Sequence, residues 1–378
     1  MMWEPPSAKA LGMGAALLSP LMMTVGFIIL DKYWGGSAFS LNLFKGGFSS
    51  VLFLAMILVS HGGNVVASFD ADIFTPEAVG FLTLSAFIGI TVGDLAWLGA
   101  LQTLGARRVI VVDTLKPFLA AVLGAVHLYE TLTAPVGIGI AVTSVGVLVV
   151  SLERETGQAD TAASTTDQEC VGVEMDTSDR QPMADKVELE VPIDGNPDPV
   201  APAPSGSPAW VPAGRLGWGY MLAVGNVVLD AYGALLVKRY ATHMSPWDIC
   251  LVRFGSAFVQ LSLISLAVRA LLRLKPCIHA LEGKSAAWCR LPTTMPRGAW
   301  ARVVCGILFL TFLCPAISNF ALLRLALGLS LTLGSLGPIY ALPLVWLMKG
   351  ERVTVRAVLG SALAVAGVAI LCQFHRPQ

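Results

Sequence analysis

The sequence predicts an all-α integral membrane protein: ten transmembrane helices arranged as two inverted five-helix repeats. Three observations predict it. First, 55% of the 378 residues are hydrophobic and only 13% are charged, and the mean hydropathy is +0.71. A water-soluble chain carries about a quarter charged residues, because its surface must be wetted. Second, apolar runs long enough to cross a bilayer recur along the chain. Third, the two halves echo each other residue by residue. Soluble, disordered and collagen-like classes are excluded on composition. Lys+Arg and Asp+Glu are both 25, so no bulk charge attracts polyanions and no nucleic acid is expected as a partner.

A bilayer-spanning helix needs about 20 mostly apolar residues. Ten runs qualify: 10–30, 38–60, 78–101, 106–128, 132–152, 216–237, 248–271, 300–323, 325–348 and 353–372. Helix is the predicted form, because a backbone in lipid must satisfy its polar groups internally. The strands of a membrane barrel would alternate apolar and polar residues, and these runs do not. The first run is too long for a signal peptide and lacks its small-residue cleavage site, so it reads as a retained span. Residues 154–214 differ from the rest. They are rich in Asp, Glu, Ser, Thr, Pro and Ala, with no aromatic before Trp210. A disordered acidic linker is predicted there. It divides the chain into a first repeat (1–153) and a second (215–378). A second polar stretch, 273–296, is expected to hold a short interfacial helix. The seven cysteines show no CxxC pair or metal-ligand spacing with His, so no metal site or disulfide framework is expected.

Equal halves prompt a search for duplication. At one fixed offset, Ala100-Leu101 matches Ala321-Leu322, Pro117 matches Pro338, and Glu130 matches Glu351. Thr133 matches Thr354, Gly139 matches Gly360, and Gly146 matches Gly367. Near the start of each half, Leu11-Gly12-Met13-Gly14 echoes Leu216-Gly217-Trp218-Gly219, and Lys45-Gly46-Gly47 falls opposite Arg253-Phe254-Gly255. Five spans is an odd number, so the second half is predicted to enter the membrane inverted relative to the first. Inverted repeats are typical of secondary carriers, whose substrate site lies near the midplane between the repeats.

Two stretches carry a family likeness: GDLAWLGALQTLGARRVIVVDTLKPFLAAVLGAVHLYETLT in the first half and LGSLGPIYALPLVWLMKGERVTVRAVLGSALAVAGVAIL in the second. With their Ala-Leu pairs, mid-helix prolines, following glutamates and Gly pairs, they resemble the paired domains of EamA-type members of the drug/metabolite transporter superfamily. The resemblance covers nearly the whole chain apart from the linker. It implies ten helices and an alternating-access carrier that does not use ATP. Lys116, just before Pro117, departs from the family pattern, as does the linker.

Ionisable side chains inside the runs are the informative positions, since each costs about 2.5–3.5 kcal/mol at a helix centre. The cations are Lys45, Lys116 and Arg253; the anions are Asp94, Asp113 and Asp230. Asp113 and Lys116 share a helix face. They form either an intrahelical ion pair or part of a central cavity. Pro117 and Pro338 are candidate hinges, because proline removes a helix hydrogen bond. Tyr340 could offer a hydroxyl to the same cavity. Asn226 and Asp230 share a face one turn apart, and Asp230 is the candidate carrier of a coupling proton. Its structural alternative is a packing contact to Asn319 or Arg253. Asp94 and Trp97 could together hold an organic cation, or simply pack. Lys45 and Arg253 occupy matching places and read as structural charges, with an anion clamp as the alternative. Glu130 and Glu351 read as structural too, each capping the helix that follows it. Glycines 89, 93, 139 and 146 read as small-residue packing stripes.

The sequence contains no GxxxxGK[ST], HExxH or GxSxG motif. No enzyme, cofactor or metal is therefore expected. The expected partners are the lipid bilayer, a small-molecule substrate and, as a candidate coupling ion, a proton; oligomeric state is not legible. The predicted function is secondary transport of a small polar organic metabolite through a cavity among the third, fourth, eighth and ninth spans and their repeat partners. Two alternatives stand beside it. One is a nucleotide-sugar or sugar-phosphate antiporter clamping anions with Lys45, Lys116 and Arg253. The other is a membrane scaffold or sensor acting through the acidic linker. Lys/Arg-rich connections lie mainly on the side opposite the termini, whereas the resemblance implies cytoplasmic termini, so the two indicators imply opposite orientations.

Overall fold

The computed structural model describes residues 6–64, 69–104, 106–168, 216–274, 292, 295–349 and 354–374. Ten helices among them are long and apolar enough to cross a membrane. α1 is Pro6–Tyr33, α2 Ala38–Ser60, α5 Ala134–Gln168, α6 Leu216–Tyr240, α7 Pro246–Leu274 and α10 Val355–Phe374. The other four are segmented. α3 comprises Pro76–Ser85, a π-helical Ala86–Gly93 and Asp94–Leu104; α8 comprises Arg297–Ile307, a π-helical Leu308–Leu313 and Cys314–Arg324. α4 comprises Ala106–Asp113 and Lys116–His127, and α9 comprises Leu327–Gly334 and Gly337–Lys349. The protein is an integral, multi-pass membrane protein.

Local chemistry explains several boundaries. Ser37 caps α2 by accepting from the Ser40 amide at 3.0 Å, and Thr75 caps α3 by accepting from the Ala78 amide at 3.2 Å. Ser245 and Asp248 cap α7 reciprocally: each side chain accepts from the other's backbone N–H, at 3.3 and 3.0 Å. α4 and α9 break at Thr114–Leu115 and Ser335–Leu336, one residue ahead of Lys116-Pro117 and Gly337-Pro338. Proline has no N–H to donate, so it is tolerated in the first turn of a new segment rather than inside an old one.

The π-helical segments carry no sequence signal that the spacing of apolar residues could reveal. They nevertheless fall in register with the duplication: the offset joining Ala100 to Ala321 places 86–93 opposite 307–314. Each is held to the other repeat by one polar contact. In α3, Thr91 Oγ1 donates to Gln260 Oε1 of α7 at 2.7 Å. In α8, Thr311 shares a 2.7 Å hydroxyl–hydroxyl bond with Ser49 of α2.

Packing runs between repeats rather than within them. The dominant neighbours are α1 with α8 and α9, α6 with α3 and α4, α2 with α7, α4 with α9, and α5 with α10. α3 also packs heavily on α7; apart from that contact, whose counterpart α2–α8 is lighter, exchanging the repeats maps the set onto itself. Lipid supplies no hydrophobic force to press helices together, so close backbone approach has to do it. The α5–α10 seam shows this. A Cβ on Gly146 would collide with the Ala364 backbone nitrogen, and one on Gly367 with the Thr143 backbone. Both glycines are there because nothing larger fits. Large apolar side chains such as Val59, Val126, Leu263 and Leu359 are exposed, as suits a lipid-facing perimeter.

Two expectations meet the structure at their edges. α5 continues as helix through Gln168, past the end of the apolar run at 152 and into the first part of the expected linker. The rest of the linker (169–214) and most of the 273–296 stretch, with its expected interfacial helix, lie outside the described residues.

Candidate substrate cavity

Both helix breaks open onto one cavity of about 340 Å³, lined from α1, α4, α5, α6, α7, α8 and α9. Thr114 and Lys116 come from the α4 break; Ser335, Gly337 and Pro338 come from the α9 break. Asp113, Asp230, Arg253 and Asn319 complete the charged and amide lining. Discontinuous helices are a common way to build a midplane site, because their freed backbone groups face the cavity rather than lipid.

Lys116 is the centre of the electrostatics. Its Nζ lies 2.9 Å from Asp113 on its own helix and 2.9 Å from Asp230 on α6. The intrahelical pair exists, and the same cation also ties two helices together. The carboxylates are 39% and 44% exposed and Lys116 only 20%. The anions therefore look into the cavity from either side of a more deeply set cation.

Arg253 of α7 stands beyond Asp230. A Cβ placed on Gly89 would lie 3.6 Å from Arg253 Nη2 and 4.0 Å from Asp230 Oδ1, so both groups crowd one bare patch of α3. Arg253 is also within electrostatic reach of Asp94, and its buried Nε has no hydrogen-bond partner among the described residues. Asp94 in turn pairs with Lys45 at 3.8 Å. These six charges alternate in sign: the Lys45–Asp94 pair, then Arg253, then the Asp230–Lys116–Asp113 triad, with Arg253 standing between the two groups. Alternation makes the series neutral and gives every carboxylate a cation, which is what lets six charges persist between apolar helices.

The structure sorts the candidates. Asp113, Lys116, Asp230, Asn319 and Pro338 line the cavity together with Arg253. Asn319 also donates to Cys250 Sγ at 3.3 Å. Asp94, Trp97, Asn226, Tyr340, Lys45 and Pro117 are not in the lining. Trp97 packs in the α3–α4–α6 seam, and Tyr340 packs beside α1, α5 and α10. Asn226 is buried against Gly93 of α3. Asp113, Thr114 and Lys116 of the fourth run lie on the cavity wall, and so does Arg253, whose match with Lys45 left a structural charge or an anion clamp as its two readings. The reason lies in a break of symmetry. Lys45 finds Asp94 within its own repeat, but the residue matching Asp94 in the second repeat is Pro315. Arg253 therefore lacks that counterpart carboxylate and stands near Asp230 over the bare patch at Gly89. Ser144, Ser318 and Ser330 also line the cavity. Of these only Ser318, beside Asn319, had any sequence signal.

Glu130 caps a helix, but not the one that follows it. Its Oε2 accepts from the Leu327 amide, the first residue of α9, at 2.8 Å, and its Oε1 pairs with Lys238 of α6. Ala326, at the N-cap position of α9, offers no side-chain acceptor, so Glu130 supplies one from the other repeat. The Thr133 hydroxyl, close to the start of α5, has no hydrogen-bond partner among the described residues. Glu351 lies outside the described residues. Among the described residues no group of three His, Cys, Asp or Glu side chains could hold a metal ion.

Comparison with known proteins adds the family. No curated protein sequence matches the chain. One solved structure, described only as the crystal structure of a protein, superposes over 99% of this chain and 100% of its own, with a TM-score of 0.63 at 14% sequence identity. That likeness speaks to the fold alone. The family model for EamA-like transporters matches residues 10–152 and 217–373, which is both repeats and neither the linker nor the extreme ends. Its two matched segments coincide with the two halves whose helices exchange neighbours in the bundle, and the chain belongs to the EamA-like transporter family.

Proposed function

We propose that this protein is a secondary carrier that moves one small, polar, organic metabolite of zero or near-zero net charge by alternating access. The observation that carries the reading is the neutral cavity. Asp113, Lys116, Asp230 and Arg253 bring two negative and two positive charges to about 340 Å³ at the helix breaks. A ligand site of this kind needs a few placed polar groups and a volume of about 300–1,000 Å³, so the cavity suits a solute at the small end. A net-neutral solute leaves the charge balance intact, whereas a polyanion would need free cations. Lys116 is already held by two carboxylates, which weighs against the nucleotide-sugar and sugar-phosphate alternative.

The mechanism follows from competition. Asp230 is exposed to the cavity and bound on one side by Lys116. A cationic group of the solute, or a proton, would compete with Lys116 for that carboxylate, and release of Lys116 would loosen the α4–α6 tie. Coupling ligand occupancy to a helix contact between repeats is what an alternating-access cycle requires.

The test is thermal stability of the purified protein across amino acids, organic cations, purines, sugar phosphates and nucleotide sugars. A ligand at 100 times its dissociation constant adds about 2.7 kcal/mol. Stabilisation by a net-neutral class, lost in Asp230→Asn, supports the reading. Stabilisation confined to phosphorylated compounds would replace it with the antiporter.

A further inference from the structure

We propose that Glu130 and Lys238 form a latch that closes the cavity on the membrane face carrying the α4–α5, α6–α7 and α8–α9 connections. The inference rests on the carrier reading above.

The latch sits one turn beyond the cavity on three helices. On α6, Ala234 lines the cavity and Lys238 is four residues further along the same face. On α8, Leu322 lines it and Leu325 is three residues beyond; on α9, Ser330 lines it and Leu327 is three residues before. Glu130 accepts from Leu327 N–H, and Lys238 pairs with Glu130 and donates to the Leu325 carbonyl. One carboxylate and one ammonium therefore satisfy the backbone on both sides of the α8–α9 turn. Gly124 of α4 makes room, since a Cβ there would collide with Glu130 Oε2. Beneath the polar layer lies an apolar one: Ala120, Leu235, Leu322 and Leu327 are buried together, with Leu331 packed against them.

Glu130 belongs to the first repeat, while Lys238 and the α8–α9 turn belong to the second. Any motion that opens the cavity to this face must separate them. The chemistry suits a contact made and broken repeatedly. When closed, Glu130 and Lys238 are only 13% and 16% exposed and fully partnered. When open, the entering water would solvate both charges and both freed backbone groups, so neither state leaves a buried group unpaired. An apolar seal alone offers no such compensation.

The test reads access rather than transport, so it needs no known substrate. Ser330→Cys places a thiol on the cavity wall. Protein in proteoliposomes is treated with a membrane-impermeant maleimide from the latch face, and the labelled peptide is quantified by mass spectrometry. Val150→Cys, fully buried in the α5–α10 seam, is labelled in parallel. Glu130→Gln and, separately, Lys238→Met should raise labelling of Ser330→Cys about tenfold from the latch face, and leave Val150→Cys unlabelled. Unchanged labelling of Ser330→Cys in both variants would overturn the latch while leaving the carrier reading standing. So would a rise at Val150→Cys as well, which would make the pair a general staple of the fold.

Discussion

Lys116 carries two partners where one would neutralise it, and that redundancy has a measurable consequence. Asp113→Asn and Asp230→Asn each leave Lys116 with one carboxylate. A unit ion pair at about 4 Å is worth about 4 kcal/mol at an effective dielectric of about 20. The two carboxylates here are 39% and 44% exposed, so water lowers each pair toward about 1 kcal/mol. Each single variant should therefore lose about 1 kcal/mol. The double variant strands an ammonium between apolar helices, with Arg253 as the other cation on the cavity wall. An unpaired charge at such a depth costs about 3 kcal/mol. The double loss should exceed the sum of the singles by about 1 kcal/mol or more, which is within the range of coupled neighbours. Reversible unfolding in mixed micelles, with all four proteins in the same lipid, measures the cycle. Additivity within about 0.3 kcal/mol would mean that the two carboxylates do not substitute for each other at Lys116. The account of the charge series would then be wrong.

Three further outcomes follow from named contacts. Gly146→Leu should separate α5 from α10, because its Cβ already meets the Ala364 backbone. A loss of about 1–3 kcal/mol is expected from overpacking, while Gly14→Leu, with open space around it, should unfold at the wild-type temperature. Glu130→Ala removes the cap of α9 and should cost about 1 kcal/mol from that bond alone; amide exchange at Leu327 should rise with it. Gln260→Leu removes the polar tie of one π-helical segment and should cost about 0.6 kcal/mol, the average for hydrogen bonds between membrane helices. Unfolding midpoints measured side by side check both values, and a cost above about 2 kcal/mol would show that the π-helical segment depends on that side chain.

What the chain declares on its own is what lipid and repetition demand. Ten apolar runs have one solution in a bilayer, and a Pro, a Glu and two Gly recurring at one offset have one simple origin. The mid-helix prolines mark the two breaks because a missing N–H is a local fact. The glycines of α5 and α10 mark a close seam because only their small size explains them. The partners of charged groups are a different kind of information. Nothing in Asp230's neighbours along α6 says that its cation sits on α4, or in Glu130's that it reaches past α5 to cap α9. Each of those contacts joins residues far apart in sequence through helices whose rotation is set by packing against the opposite repeat. The π-helical segments are invisible for the same reason: a single added residue per turn leaves composition and hydropathy unchanged and alters only which side chains face the cavity. Sequence thus determined which residues are too polar for lipid. Tertiary structure decided which of them meet, because a charge between helices is stabilised by proximity, and proximity is decided by the bundle.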